Sequence, residues 1–392
     1  MRPLDGITVV ALEQAVAAPF ATRQLAELGA RVIKIERPGV GDFARDYDKT
    51  VKGMSSHFVW CNHSKQSLTL NIKEPAAKNI LDQLLSTADV FIQNFGPGAI
   101  DRLGFGIEVL KEKYPQLIIC SISGYGENGP YREKKAYDLL VQCEAGLVSV
   151  TGSEEVPSKV GISVADIATG MYAYSGILTA LLTRSQTGKG CVLEISMLEA
   201  LGEWMGFPLY YTNYSGTEPK RNGASHATIY PYGPFAAGNG KTVFLAIQND
   251  REWEQFCKVV LRQPDLLQDA RFVTNSSRVL HRGELQRLID GAFMQLTANE
   301  VIDRLEAAKI ANARLNTVQE LWNHPQLQAR NRWRQVDSPV GPLKALLPPV
   351  TMEGMEPYMG PIPALGQHSE QILAECGFDQ NTIRKWQEAG VV

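Results

Sequence analysis

The stretch ITVVALEQAVAAPFATRQLAELGARVIKIE (residues 7–36) carries the pattern that decides the fold. An apolar run stands at each end, and between the runs Phe20, Leu25 and Leu28 recur at the spacing of one helical face. This is the pattern of a strand, a helix and a second strand. Further apolar runs, separated by helical segments, follow at 67–72, 89–94, 116–123 and 191–198. The alternation predicts an α/β fold with a Rossmann-like parallel sheet covered by helices on both faces.

The composition changes along the chain and predicts two domains. From about residue 207 Tyr, Asn, Gly and Ser dominate, and Asn239-Gly240 then separates two apolar runs as in a β-hairpin. Residues 338–366 hold seven of the 21 prolines, which is typical of an extended crossing. The predicted parts are a large domain from both chain ends (1–205 and 330–392), a linker (206–224), a small α+β domain (225–325) and a proline-rich return segment (326–366).

The overall composition is that of a globular protein and excludes several classes. The 392 residues are 44% hydrophobic and carry a net charge of −3, so no basic excess indicates a nucleic-acid partner. No window of about 20 uncharged apolar residues predicts a membrane span, and no basic leader precedes the first apolar run. Six cysteines without a C-x-x-C pair and six histidines without ligand spacing predict no metal site. We expect a cytoplasmic protein.

Motifs for nucleotide phosphates are incomplete in this sequence. The first strand–helix turn, LEQAVAAPF (12–20), lacks the glycines that let a pyrophosphate approach the backbone. GYGENG (124–129) matches G-x-G-x-x-G, but Pro130 and a charged segment follow where a helix is needed. An NAD-linked oxidoreductase therefore stays only an alternative.

The segment GISVADIATGMYAYSGIL (161–178) contains the candidate nucleophile, Asp166. Asp166 stands where an extended run meets a long apolar helix, so one interpretation is a helix N-cap. Its apolar neighbours and the small residues at 168–170 instead leave room for a ligand. We expect unpaired amides and the dipole at the helix start to keep this carboxylate ionised, as a carboxylate nucleophile requires.

Several separated segments, in order, resemble the family III CoA-transferases, which include formyl-CoA transferase and carnitine CoA-transferase. The segments that carry the resemblance are LDGITVVALEQAVAAPFATRQLAELGARVIKIERPGVGD (4–42), SKQSLTLNIK (64–73), DVFIQNFGPGAIDRLGFG (89–106), SISGYGENGP (121–130), VADIATG (164–170) and LGQHSEQILAECG (365–377). The resemblance implies an enzyme with CoA thioesters as substrates and no permanently bound cofactor. It also implies an interlocked homodimer.

The resemblance implies that Asp166 is the catalytic aspartate, which forms a mixed anhydride and then an aspartyl-CoA thioester. It also implies a set of CoA-binding positions. Those positions are Val16, Ala17, Arg37, Leu70, Lys73, Asn94, Phe95, Arg102, Lys135 and Asp138. Arginine and lysine among them suit the CoA phosphates because charge-assisted hydrogen bonds to phosphate are strong.

Departures from the family pattern bear on the substrate. The glycine-rich loop of formyl-CoA transferase is replaced by RNGASHATIYPYGPF (221–235), and its substrate-side glutamine is Val16, so oxalate is disfavoured as acceptor. The segments 42–48, 55–65 and 137–147 resemble the subgroup that acts on C4–C5 dicarboxylates such as itaconate, mesaconate or citramalate, with succinyl-CoA as donor. The second carboxylate needs a cation or several donors, for which the candidates are Arg45, Tyr137, His226 and Tyr232. Arg45 has an alternative interpretation as a structural ion pair.

Two other functions stay open at this point. The related α-methylacyl-CoA racemase uses a His-Asp pair, which here reads Tyr137-Asp138, and a tyrosine with an ordinary pKa near 10 is a poor base at neutral pH. A non-catalytic CoA-binding protein is the third possibility, and it would not need Asp166.

Overall fold

The structure is a computed structural model that describes residues 1–392. The strands are β1 (Thr8–Leu12), β2 (Arg31–Glu36), β3 (Gln66–Thr69), β4 (Val90–Gln93), β5 (Ile118–Ser123), β6 (Val192–Ser196), β7 (Tyr232–Ala236), β8 (Thr242–Ala246), β9 (Ala311–Arg314), β10 (Trp333–Val336) and β11 (Leu343–Leu346). The α-helices are α1 (Ala17–Glu27), α2 (Ser56–Asn62), α3 (Pro75–Thr87), α4 (Ala99–Arg102), α5 (Ile107–Lys113), α6 (Asp138–Glu144), α7 (Leu147–Val150), α8 (Val164–Thr187), α9 (Met197–Trp204), α10 (Gly206–Ser215), α11 (Asp250–Gln255), α12 (Asn275–Leu280), α13 (Arg282–Phe293), α14 (Ala298–Ala307), α15 (Val318–Trp322), α16 (Pro325–Ala329), α17 (Ser369–Glu375) and α18 (Gln380–Glu388).

The chain forms two compact units. The first contains residues 1–146, 160–206 and 327–392, and the second contains residues 147–159 and 207–326. None of the helices combines the length and the apolar character that a membrane-spanning segment needs.

The first unit is built on one six-stranded sheet. Its order is β3-β2-β1-β4-β5-β6, and every neighbouring pair is parallel. The parallel sheet predicted from the sequence is therefore confirmed. Because all strands run the same way, their carboxyl ends and the loops that follow them lie at one edge, where ligands of open α/β sheets bind.

Helices cover both faces of this sheet. In β1, Val9 and Ala11 pack into a core with α1 and α8, whereas Val10 and Leu12 pack into a second core on the opposite face. That second core also contains apolar residues of α3, α17 and α18. The strand is thus apolar on both faces, as expected for a buried parallel sheet.

Helices α1 and α8 are in tight contact at Gly170. A Cβ atom at this position would lie 2.7 Å from the carbonyl oxygen of Ala17 and 2.9 Å from Cδ1 of Phe20. Real Cβ atoms do not pack this tightly against a backbone oxygen. Glycine is therefore required here for the start of α1 to rest on α8, one helical turn beyond Asp166.

The second unit contains an antiparallel sheet of order β7-β8-β9. The predicted hairpin at Asn239-Gly240 is confirmed as the connection between β7 and β8, with Gly240 at φ 74°. Helices α11, α13 and α14 contribute to one hydrophobic core beneath this sheet.

Two segments are more regular than the sequence indicates. The predicted linker at 206–224 begins with helix α10, none of whose residues is buried. The proline-rich crossing contains β11, which pairs with β10 in an antiparallel ribbon. Val336 and Leu343 of this ribbon pack with Phe58, so part of the crossing is a packed element, contrary to the prediction.

We expect Gly170→Ala to destabilise the protein by about 1–3 kcal/mol, because the added methyl group has to displace backbone of α1. Gly176→Ala is the matched control in the same helix: the nearest atom to its new Cβ, Leu193 Cδ1, would lie 3.6 Å away. Alanine favours the helix there and should be neutral or stabilising. Urea unfolding of both variants measures the difference, and equal stabilities would contradict the packing argument.

Candidate active site

Asp166 lies in the first turn of α8, but it does not cap the helix. The N-cap residue, Ser163, makes no side-chain capping bond. The carboxylate of Asp138, at the start of α6, does so instead: its Oδ1 accepts hydrogen bonds from the backbone N–H of Ala165 at 2.8 Å and of Asp166 at 3.3 Å. The expectation of unpaired amides at this helix start is therefore wrong, since two of these N–H groups donate hydrogen bonds to Asp138.

The environment of Asp166 disfavours its charged form. Burial, and secondly the charge of Asp138, raise the pKa of the Asp166 carboxyl to about 7. The helix start does not offset the effect of burial as expected, because two of its N–H donors are bonded to Asp138, whose negative charge lies beside Asp166. At neutral pH the side chain is poised between its acid and its carboxylate, which makes the carboxylate more basic than an ordinary aspartate.

Tyr47 lies close enough to Asp166 to be affected by its charge. Burial, and then the charges of Asp42 and Asp166, raise the pKa of the Tyr47 phenol to about 12. Its ring packs edge-on against His57 at 5.3 Å between centroids. Tyr47 was not among the residues predicted from the sequence. Its position in DFARDYD, a segment that follows a strand carboxyl end, is the only sequence signal that pointed toward it.

The turn between β1 and α1 is fixed from both sides. Gln14 donates its backbone N–H to Asn94 Oδ1 at 2.9 Å, and Asn94 Nδ2 donates to the Gln14 carbonyl oxygen at 2.9 Å. Ala15, with φ 62°, donates its N–H to Asp42 Oδ1 at 3.1 Å. The side chains of Val16 and Ala17 are buried, so this turn presents backbone rather than side chains.

A cavity of about 630 Å³ opens beside this turn, at the carboxyl ends of the first three strands. Its size is typical of a small-molecule site. Five of the predicted CoA-binding residues line it together: Arg37, Leu70, Lys73, Phe95 and Arg102. Asn94 does not line the cavity but is hydrogen-bonded to the lining residue Gln14, and Lys135 is exposed on the loop before α6 and does not line the cavity either.

The cations of this cavity are not neutralised by the protein. Arg37, Lys73 and Arg102 are exposed, and none of them forms an ion pair with an acidic side chain. Arg102 donates only to the carbonyl oxygen of Pro97, at 3.3 Å. Three uncompensated positive charges around one cavity are suited to a polyanion such as the phosphates of a nucleotide.

Beneath the cavity lies a set of paired charges, which we name the buried charge cluster: Glu13, Lys34, Glu36, Asp42, Arg45 and Lys65. Lys34 Nζ lies 2.8 Å from Asp42 Oδ2 and 3.4 Å from Glu13 Oε1, and Lys65 Nζ lies 2.7 Å from the same Glu13 oxygen. Burial disfavours the charge on Lys34, but the carboxylates of Asp42, Glu13 and Glu36 outweigh it and raise the pKa of Lys34 above its usual value. Apart from the ion pair considered for Arg45, no sequence pattern pointed to this cluster.

Arg45 belongs to this cluster. Its Nε and one terminal nitrogen each lie 2.8 Å from an oxygen of Glu36, and its guanidinium stacks 3.8 Å from the Phe58 ring centroid. These contacts are those of the structural ion pair considered above. A role for Arg45 toward substrate stays a prediction.

The other predicted substrate residues are divided between the two units. Tyr137 immediately precedes Asp138 and is 68% exposed. In the second unit the rings of His226 and Tyr232 stack at 5.0 Å between centroids. His226 Nδ1 accepts the N–H groups of Thr228 and Ile229 at 3.2 and 3.1 Å, so the neutral imidazole carries its proton on Nε2 and is a hydrogen-bond donor there.

Comparisons with known proteins agree on one family. The model of "CoA-transferase family III" matches residues 4–369. Succinyl-CoA:glutarate CoA-transferase of Mus musculus is 33% identical over 399 residues, which covers 100% of this chain and 91% of the mouse protein. Succinyl-CoA:mesaconate CoA-transferase of Haloarcula marismortui is 32% identical over 399 residues, covering 98% of this chain and 99% of that protein.

A third relative is named for a different acid, oxalate, and a solved structure shares the fold. Acetyl-CoA:oxalate CoA-transferase of Acetobacter aceti is 35% identical over 331 residues, covering 84% of this chain and 85% of that protein. The crystal structure of a CAIB/BAIF family protein from Brucella suis superposes with a TM-score of 0.85 at 32% identity, over 96% of this chain and 99% of that chain. The resemblance seen in the sequence is thereby confirmed: the chain belongs to the family III CoA-transferases and is an enzyme that uses CoA thioesters as substrates.

Proposed function

We propose that this enzyme moves CoA from succinyl-CoA to a C4–C5 dicarboxylic acid, with Asp166 as the nucleophile. The observation that carries the proposal is the position of Asp166. It is a half-buried carboxyl group on the helix that packs, through Gly170, against the start of α1. Leu12, Glu13 and Gln14, which come shortly before α1 in the chain, line the cavity together with its three unpaired cations.

The reaction proceeds in four acyl-transfer steps that need no cofactor. The Asp166 carboxylate attacks the thioester carbonyl carbon, the C–S bond breaks, and an aspartyl–succinyl anhydride and CoA thiolate result. The thiolate attacks the aspartyl carbonyl carbon, which releases succinate and leaves an aspartyl-CoA thioester. The acceptor carboxylate displaces the thiolate to form a second anhydride, and the thiolate then attacks the acceptor's carbonyl carbon and frees Asp166.

The environment of Asp166 suits these steps. A carboxylate whose pKa is raised to about 7 is present in quantity at neutral pH and is more nucleophilic than an ordinary aspartate. Every intermediate is sensitive to hydrolysis, so water has to be kept away from this side chain. The aromatic rings of Phe43 and Tyr47, which pack against each other at 5.6 Å between centroids, belong to this part of the molecule and are candidates for that shielding.

The proposed acceptor class is supported by the named substrates of the relatives. Glutarate and mesaconate, in the names of two relatives, are both C5 dicarboxylates, and succinyl-CoA is the donor in both names. Itaconate belongs to the same class. The Nε2–H of His226 and the phenol hydroxyls of Tyr137 and Tyr232 are hydrogen-bond donors of the kind that a free carboxylate needs.

We further propose that the enzyme is a cytoplasmic homodimer. The support for a dimer is helix α10, in which no residue is buried although it is rich in aromatic and apolar side chains. Phe207, Leu209, Tyr210 and Tyr214 are 58–80% exposed. A contiguous apolar helix of this kind is typical of a surface covered by another protein chain, and a second copy is the partner that the family resemblance implies.

Replacing the nucleophile provides the central test. We expect Asp166→Asn to lower CoA transfer by more than about 10⁴-fold, because an amide cannot form the covalent intermediates. Mass spectrometry of wild-type enzyme quenched with succinyl-CoA should find a succinyl or CoA adduct on the peptide that contains residue 166, and none in the variant. Asp303→Asn, an exposed change on α14, is the matched control. Full activity of Asp166→Asn would refute the mechanism.

The cavity predicts a separate effect on donor binding. We expect Arg102→Gln to raise the KM for succinyl-CoA by about 10-fold with little change in kcat, since a charge-assisted bond to a phosphate is lost. Arg132→Gln removes an exposed arginine that pairs with Glu133, and it should leave both constants unchanged. Initial rates over a range of donor concentrations separate KM from kcat. An unchanged KM in Arg102→Gln would place the CoA phosphates elsewhere.

A panel of acids identifies the acceptor. Incubation with succinyl-CoA and one free acid at a time (glutarate, mesaconate, itaconate, citramalate, oxalate or carnitine) is followed by mass spectrometry of the CoA esters. We expect new acyl-CoA with at least one C5 dicarboxylate and none with oxalate. Exchange confined to oxalate would overturn the acceptor class. Racemisation of an added 2-methylacyl-CoA, without CoA exchange onto any acid, would instead support the racemase.

A further inference from the structure

Both carboxylate oxygens of Asp138 are engaged by the protein. Oδ1 accepts from the backbone N–H groups of Ala165 and Asp166, as described above, and Oδ2 accepts from Gln142 Nε2 at 2.6 Å. The family resemblance implied that Asp138 is a CoA-binding position next to the pantetheine end, and this stays a prediction. Its hydrogen bonds within the protein run to the start of α8 and to α6.

Gln142 is completely buried, and its orientation is fixed at both ends of its amide. While Nε2 donates to Asp138, Oε1 accepts the backbone N–H of Val160 at 3.0 Å. A flipped amide would place a donor against the Val160 N–H and an acceptor against the carboxylate. Gln142 therefore holds Asp138 in one position and ties it to the segment that leads into α8.

This arrangement places a fixed negative charge where a helix normally offers free donors. The N-terminal amides of a helix stabilise an anion, and they would stabilise the Asp166 carboxylate if they were available. Asp138 accepts hydrogen bonds from two of these amides and places a second negative charge beside Asp166. Asp166 itself forms no ion pair, so no cation offsets this repulsion.

We propose that Asp138 and Gln142 form a positioning pair that withholds the amides of α8 from Asp166 and so keeps its carboxylate a strong nucleophile. The inference rests on the proposed function, because it assigns Asp166 the attack on the thioester. Neither residue has to touch the reacting atoms. Gln142 orients Asp138, and the charge of Asp138 acts on Asp166.

The titratable groups around Asp166 are few. Asp138 faces it from α6, and the phenol of Tyr47 faces it from the segment after β2, with Tyr137 acting on Tyr47 in turn. Burial and the charge of Asp138 account for the raised pKa of Asp166, so removing that charge should lower the pKa of Asp166 and leave the burial effect in place.

A paired exchange, Asp138→Asn together with Gln142→Glu, separates the charge from the hydrogen bonds. The side-chain oxygen at position 138 still accepts from the α8 amides. The amide nitrogen introduced there donates to the carboxylate introduced at position 142, which also accepts from Val160. The hydrogen bonds are kept, but the negative charge moves away from Asp166. We measure kcat/KM for succinyl-CoA between pH 5.5 and 8.5 in wild-type enzyme and in this variant.

We expect the wild-type rate constant to fall below about pH 7, where Asp166 becomes protonated. In the variant this acid limb should move to lower pH by on the order of one pH unit. The plateau at high pH should fall roughly threefold, because a less basic carboxylate is a weaker nucleophile. Both enzymes use the same donor, so ionisation of the substrate cancels in the comparison.

The outcomes distinguish this inference from the proposed function. A variant that melts like the wild type and has a superimposable pH profile would overturn the positioning role of the pair, even if Asp166→Asn is inactive. Activity of Asp166→Asn would overturn the function itself. If the double variant does not fold, the single Asp138→Asn tests the same shift of the acid limb, and its failure to shift has the same meaning.

Discussion

The carboxyl edge of the parallel sheet, where the cavity lies, depends on the ion pairs of the Lys34 ammonium group with the carboxylates of Asp42 and Glu13. The side chains of Lys34, Glu13 and Asp42 are all buried. Removing one partner of such a cluster leaves a buried charge unpaired and costs about 3–5 kcal/mol. Through Asp42 the same contact reaches the backbone of Ala15, and so it fixes the turn that leads into α1.

The buried charge cluster also explains the sign of the electrostatic field in the cavity above it. Glu13, Glu36 and Asp42 line that cavity, and three acidic groups there would repel a phosphate. Each of them is paired below the surface: Glu13 with Lys34 and Lys65, Asp42 with Lys34, and Glu36 with Arg45. The cations that line the same cavity, Arg37, Lys73 and Arg102, have no such partners. Neutralisation of the acidic groups thus leaves a positive electrostatic field in the cavity.

Much of the fold could be predicted because it depends on local patterns. The strand–helix–strand alternation of residues 7–36 and the Asn239-Gly240 turn encode their structure in adjacent residues. The position of Asp166, between an extended run and an apolar helix, was also visible. Features that depend on distant residues were not: Glu13 meets Lys65 across 52 positions, and Asp138 caps a helix that begins 26 residues later. Helix α10 was missed because residues 207–225, in which Tyr, Asn, Gly and Ser recur, have the composition of a loop.

The contribution of α17 and α18 to the core under β1 affects how the chain folds as it is made. Ile372, Leu373 and Ile383 complete the layer that covers one side of strands formed by residues 8–123. Ribosomes add about 5–20 residues per second, so on the order of tens of seconds pass between synthesis of these strands and synthesis of α17 and α18. During that interval the apolar face of the sheet is open to chaperones and to aggregation. Synthesis of α17 and α18 therefore sets the time at which this apolar face is covered and no longer accessible to chaperones or to other unfolded chains.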